Sequence, residues 1–229
     1  MNKYLYAMAI AALILAGAAA KPAAADIVTD WNDITLNMIT NSQQMAIQAS
    51  RALAMVHAAI YDAVNAVDIK HEVFHVRATP LRPCSTNAAA AAAAYTVLRG
   101  LYTNATATLY SAYTNSLAAE PDSTAKSNAV FLGQYVGGQI IKWRTNDMAM
   151  MAGMNPYVPG TNAGDWRPTP PDYRAAMMPH WGTLMPFAMN GSSQFRLPEP
   201  PDITGADYAA AYDAVKVYSN NVPWADPAE

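Results

Sequence analysis

Residues 43–68, QQMAIQASRALAMVHAAIYDAVNAVD, decide the fold. Leu53, Val56, Ile60, Val64 and Val67 recur at steps of three and four, which draws one apolar stripe along a helix. Ser42 stands where an N-cap belongs, so the expected helix runs from Gln43 to about Asp68. The alanines between the stripe residues let a neighbour approach closely, so this reads as the central helix of a bundle. Leu53, Met55, Val56, Ala59, Ile60, Ala63 and Val64 form an arc wider than one neighbour buries. Part of that arc is expected to face water unless further helices cover it.

On the N-terminal side a first helix is expected around Trp31–Ile39. On the C-terminal side, a loop with Pro80 and Pro83 precedes an Ala-rich helix capped by Ser85, Thr86 or Asn87 and ending near Gly100. Two more helices follow. One covers Thr106–Ala119; the other starts after Asp122 or Ser123 and runs to about Arg144 through Val130, Phe131, Tyr135 and Ile141. Short connections favour antiparallel neighbours. From 146 to 204 Pro, Gly, Trp and Met dominate and no regular period survives. A last helix, roughly Gly205–Ser219, leads to a tail ending at Glu229. The expected fold class is all-α, a partial helical bundle with a long irregular segment. The parts are 1–25, 26–145, 146–204 and 205–229.

The first part reads as an export signal. Lys3 gives a positive start, Ala7–Leu15 is apolar and uncharged, and Ala18/Ala20 or Ala23/Ala25 supply small residues for cleavage. An exported protein, periplasmic or secreted, is therefore expected, with no membrane span after cleavage. Cys84 is the only cysteine of the 229 residues, so no intrachain disulfide forms and packing alone must hold the core. At 52% hydrophobic the chain has ample material for that core. A net charge of −3 offers no basic field for phosphate backbones, which argues against nucleic-acid binding.

His71-Glu-Val-Phe-His75 spells HExxH. On a helix the two imidazoles would share a face one turn apart, with the glutamate placed to activate a metal-bound water. The context argues against it: a third ligand is needed, and Val76–Ala119 contains no Asp, Glu or His. A surface turn is the expected reading. Cys84 would need a neighbouring base to act as a nucleophile. Trp166, Pro168, Pro170, Pro171, His180, Trp181 and Phe187 would either line an aromatic pocket or pin the long segment in place, and the second use is favoured.

An ordered set of segments carries a resemblance. It comprises Asp26–Asn32 (DIVTDWN), Arg51–Asn65 (RALAMVHAAIYDAVN) and Ala94–Tyr102 (AYTVLRGLY). It continues with Trp166–Pro171 (WRPTPP), Pro179–Gly182 (PHWG) with Pro186 and Phe187, and Phe195–Pro201 (FRLPEPP). Over about Asp26–Lys216 the chain resembles bacterial vanadium-dependent haloperoxidase-related proteins of the type 2 phosphatidic acid phosphatase superfamily. The resemblance implies a helical protein about twice this length whose vanadate or phosphate site lies in its C-terminal half. Three motifs build that site: KxxxxxxRP, PSGH and RxxxxxH. Neither KxxxxxxRP nor PSGH occurs in these 229 residues, so no RxxxxxH follows them; counting on from Lys142, the Arg-Pro positions hold Ala149 and Met150. No catalytic, cofactor-binding or metal-binding residue is therefore carried over. No cofactor is expected for this chain alone, vanadate or phosphate belonging to the full-length relatives.

Arg51, His57, Asp62 and Asn65 are the polar residues of the central helix. Arg51 and Asp62 lie three turns apart on one side, too far to pair directly. His57 and Tyr61, one turn apart, would face a common partner helix. These residues would either support an anion site in the missing half or satisfy one another and loop carbonyls, the latter being favoured. The resemblance lapses at about Val217, which makes a truncated or degenerate relative, inactive alone, the leading expectation. A subunit of a split enzyme, with a separately encoded C-terminal half, and a non-catalytic periplasmic binding module are the alternatives. Either self-association or binding to that other half is expected to cover exposed core.

Overall fold

The computed structural model describes residues 26–150 and 157–221, with side chains up to 218. The proposed signal, 1–25, and the end of the tail lie outside the described residues. Six α-helices and no strand occur among the described residues: α1 Ile27–Asn41, α2 Ala46–Asp68, α3 Thr86–Leu101, α4 Thr106–Ala118, α5 Thr124–Arg144 and α6 Ala206–Asn221. The protein is all-α. No helix among the described residues is long and apolar enough to cross a membrane. The chain divides into two compact units, 1–145 and 146–229.

In the first unit the helix starts follow their caps. The Asp26 carboxylate accepts from the Thr29 N–H at 2.9 Å, so α1 begins four residues before the expected Trp31. Trp31, Thr35 and Met38, spaced by four and three, are its buried face. Ser42 does not cap α2; its N–H donates to Met38 O and Thr40 O and closes α1 instead. Gln43 turns through φ +51°, and α2 opens at Ala46, where the Gln48 side-chain oxygen accepts from Met45 N at 3.3 Å. Ser85 and Ser123 cap α3 and α5, accepting from Ala88 N and Lys126 N, each at 3.2 Å.

The centre of this unit is α3, not α2. Residues Ala88–Tyr95, Val97 and Leu98 are all buried, and α3 packs on α1, α2, α4 and α5. A helix buried on every side needs no polar face. Each alanine methyl adds about 0.8 kcal/mol of burial and loses no rotamer freedom. The close approach is made by α5, whose Gly133 and Gly137 lie one turn apart against α3. A Cβ at Gly137 would stand 2.8 Å from Ala93 O and 2.8 Å from the Thr96 Cβ. One at Gly133 would stand 2.6 Å from the Ala92 Cβ and meet Ala89 O as well. Only glycine fits there. Tyr95 stacks on Tyr113 of α4 with centroids 4.3 Å apart.

The wide arc of α2 is covered within the structure. Met55, Val56, Ala59, Ile60 and Ala63 are buried, and only Leu53 and Val64 are half-buried. The expectation of a large water-facing arc on this helix is corrected: α1, α3 and α5 all pack on α2.

In the second unit the 3-10 turn Pro179–Thr183 precedes α6. This unit is anchored by local bonds such as Asn162 N–H to the Asp165 carboxylate at 2.7 Å and Met185 N–H to Asp147 O at 3.1 Å.

Candidate functional site

The first unit holds a cleft of about 780 Å³ between the end of α2 and the loop 69–82, lined by Asp62, Asn65, His71, Glu72, Arg77 and Arg82 among others. Its geometry begins with the last turn of α2. Ile69 takes the left-handed conformation at φ +52° and donates its N–H to Asn65 O at 2.7 Å. The chain then turns back over the helix, and the side chain of Asn65 holds it. Asn65 Oδ1 accepts from Lys70 N at 3.2 Å and His71 N at 2.9 Å, while Nδ2 donates to His71 O at 2.8 Å. The Tyr61 hydroxyl donates to Glu72 O at 2.8 Å.

Asp62 completes the clamp. Its carboxylate is 2% exposed and accepts three successive backbone N–H groups: Phe74 at 2.8 Å, His75 at 2.9 Å and Val76 at 2.7 Å. Asp62 and Asn65 are three apart, so one helix face grips the whole HExxH segment by its backbone. A buried carboxylate with three donors is satisfied, and its charge is spent on holding the loop.

This arrangement settles how the segment is built. Residues 71–75 are not helical, so no shared imidazole face forms. His75 stacks on Trp143 at 3.8 Å and 18°, whereas His71 lies over Tyr61 with centroids 6.5 Å apart. Among the described residues no group of three potential ligands converges. The cleft presents bonded backbone and side-chain groups, with Arg82 donating to Val67 O at 2.7 Å in the last turn of α2.

The other polar residues of α2 part company. Arg51 donates to Arg144 O, at the C-terminal end of α5, at 3.0 Å. His57 Nε2 meets Asn32 Oδ1 of α1 at 3.1 Å, while Tyr61 serves the loop, so the two do not share a partner helix. Cys84 is half-buried, and burial pushes its thiol up against the smaller opposing pull of Arg82, which keeps it protonated at neutral pH.

In the second unit the aromatic and proline set is dispersed in exposure. Trp166 is exposed and packs edge-on to Tyr157 at 5.3 Å, Pro170 and Pro171 are exposed, and Pro168, Trp181 and Phe187 are half-buried. His180 is buried, and neither ring nitrogen has a hydrogen-bond partner among the described residues. Sequence reasoning missed the Gly133/Gly137 seat and the Trp143 platform under His75. The four-residue glycine spacing was the available signal for the first; nothing local marked the second.

No protein-family model and no curated protein matches the sequence. In fold, the chain is similar to the crystal structure of a protein described as the first bacterial vanadium-dependent iodoperoxidase, with a TM-score of 0.61 at 19% sequence identity. The similarity covers 89% of this chain and 55% of that one, so these residues span about half the length of that protein. The chain carries part of a haloperoxidase-like fold.

Proposed function

We propose that these residues form the N-terminal helical scaffold of a vanadium haloperoxidase- or acid phosphatase-like protein and perform no oxyanion chemistry by themselves. The observation that carries this reading is the fold similarity, which takes in nearly all of this chain and little more than half of its counterpart. Two further features support it. The 229 residues contain neither KxxxxxxRP nor PSGH, so the RxxxxxH spellings at Arg51–His57 and Arg174–His180 lack the motifs that precede that pattern in the family, and the ionisable residues Arg51, Asp62 and Arg82 are engaged in holding backbone. A site for vanadate or phosphate needs several cationic donors aimed at one point. Here that site belongs to a part supplied from outside residues 1–229, in the same polypeptide or a separate one.

The scaffold works outside the cytoplasm, an assignment resting on the leader-like residues before Asp26. Mass spectrometry of the periplasmic fraction should find a mature end near Lys21 or Asp26. The functional reading is tested by assaying the purified chain with vanadate, hydrogen peroxide and iodide or bromide, and separately with a simple phosphate ester. No turnover above buffer is expected. Turnover lost in His57→Ala or His180→Ala would refute it.

A further inference from the structure

Asn190 is the only asparagine followed by glycine among the 229 residues. The side-chain amide carbon of an asparagine stands one five-membered ring away from the main-chain nitrogen of the next residue. Closing that ring requires the nitrogen to turn towards Cγ as a near-attack pair. A Cβ on the following residue crowds the approach and narrows its backbone freedom; glycine does neither.

The local structure leaves this pair unrestrained. Asn190 and Gly191 lie in neither a helix nor a strand, and Asn190 is exposed. The turn closes without the Asn190 side chain: Asn190 N–H donates to Gln194 Oε1 at 2.8 Å, and Gln194 N–H donates to Gly191 O at 3.2 Å. Among the described residues, no hydrogen bond holds the Asn190 amide group or the Gly191 N–H. Asn41 and Asn115, each followed by serine, show the opposite. The Ser42 N–H donates to Met38 O and Thr40 O at the end of α1, and Asn115 and Ser116 lie inside α4. A nitrogen bound into a helix has no freedom to turn towards its neighbour's side chain.

We propose that Asn190 is a self-modification site, which deamidates through a succinimide formed with Gly191. The Gly191 nitrogen gives its proton to hydroxide and attacks Cγ of Asn190. The new N–Cγ bond replaces the Cγ–Nδ2 bond, and Nδ2 leaves as ammonia. Water then opens the ring at either carbonyl, and the Gly191 nitrogen regains its proton. Opening at Cγ gives aspartate; opening at the main-chain carbonyl gives isoaspartate, whose chain runs through Cβ and Cγ. In sum one water is consumed, one ammonia is released and nothing is oxidised. Either product adds a negative charge to the turn. Isoaspartate also lengthens the path from the nitrogen of residue 190 to Gly191 O by one carbon, which disturbs the two bonds that close the turn. The inference is independent of the scaffold reading.

The test incubates the purified full chain in heavy-oxygen water and follows it by peptide mapping. The peptide holding Asn190 should lose ammonia, take up one labelled oxygen and appear as separable isoaspartate and aspartate forms. Its rate should exceed that of every other asparagine by about tenfold or more. The rate should also rise with pH, since the attacking nitrogen must lose its proton. Gly191→Ala should slow the reaction by about tenfold or more. The turn tolerates that methyl, because Gly191 lies outside the left-handed region and nothing stands within 4 Å of the added Cβ. An Asn190 that stays unmodified while a synthetic peptide of the same residues deamidates overturns the proposal. Faster conversion of Asn41 or Asn115, or an undiminished rate in Gly191→Ala, overturns it as well.

Discussion

Helices α3 and α6 have sixteen residues each and both are rich in alanine, yet α3 is buried on every side and α6 is exposed at each position described. α3 has a single charged residue, Arg99, against Asp207, Asp213 and Lys216 in α6, so composition already favours burying α3. α3 also has a receiver. Gly133 and Gly137 of α5 remove the side chains that would hold α3 away, so its alanines meet backbone and methyl groups directly. An alanine-rich helix therefore declares its place through its neighbours' glycines.

The sharpest way to break this comparison is to make one change in both helices. Ala92→Asp puts an unpaired carboxylate at a fully buried position of α3 and should cost at least about 4 kcal/mol, enough to unfold the first unit. Ala210→Asp in α6 should cost no more than about 0.7 kcal/mol, its helix-propensity difference. Urea denaturation followed by circular dichroism reads both. Equal losses would remove the distinction between the helices.

The clamp at the end of α2 comes next. Asp62→Ala strips the acceptor from the amides of Phe74, His75 and Val76 and should destabilise the first unit by about 2–4 kcal/mol. Those three amides should also lose hydrogen-exchange protection selectively. An unchanged denaturation midpoint with intact protection would mean that the loop is held elsewhere.

A smaller effect, but one of opposite sign at adjacent positions, sharpens the glycine argument. Gly137→Ala drives its methyl into Ala93 O and the Thr96 Cβ, and should cost about 1–3 kcal/mol. Gly138→Ala, with nothing within 4 Å of the new Cβ, should stabilise by about 0.5–1 kcal/mol. Thermal melts that move in the same direction would refute the seat.

Much of the bundle was legible because stripes and caps are local. Ser85 and Ser123 cap helices as their position suggests, and the ends of α4 and α5 fall within a residue or so of expectation. Ser42 misled because a serine between two helices serves the end of one as readily as the start of the next. The alanine run hid the true centre of the unit because methyl groups give no strong hydropathy signal; their burial is decided 40 residues away in α5. The HExxH spelling falls in a non-helical turn, as its context suggests. The carboxylate of Asp62 and the amide of Asn65 hold the backbone of that segment, and only three-dimensional register reveals this.

Residue-resolved hydrogen exchange on the chain, verified as monomeric, tests most directly the contrast between buried α3 and exposed α6. The amides of α3 should exchange only through global unfolding, with protection of about 10⁴-fold or more. Those of Ala209–Tyr218 in α6 should stay within about tenfold of an unstructured chain, as for an unsupported helix. Protection of α6 equal to that of α3 in the monomer would contradict the account.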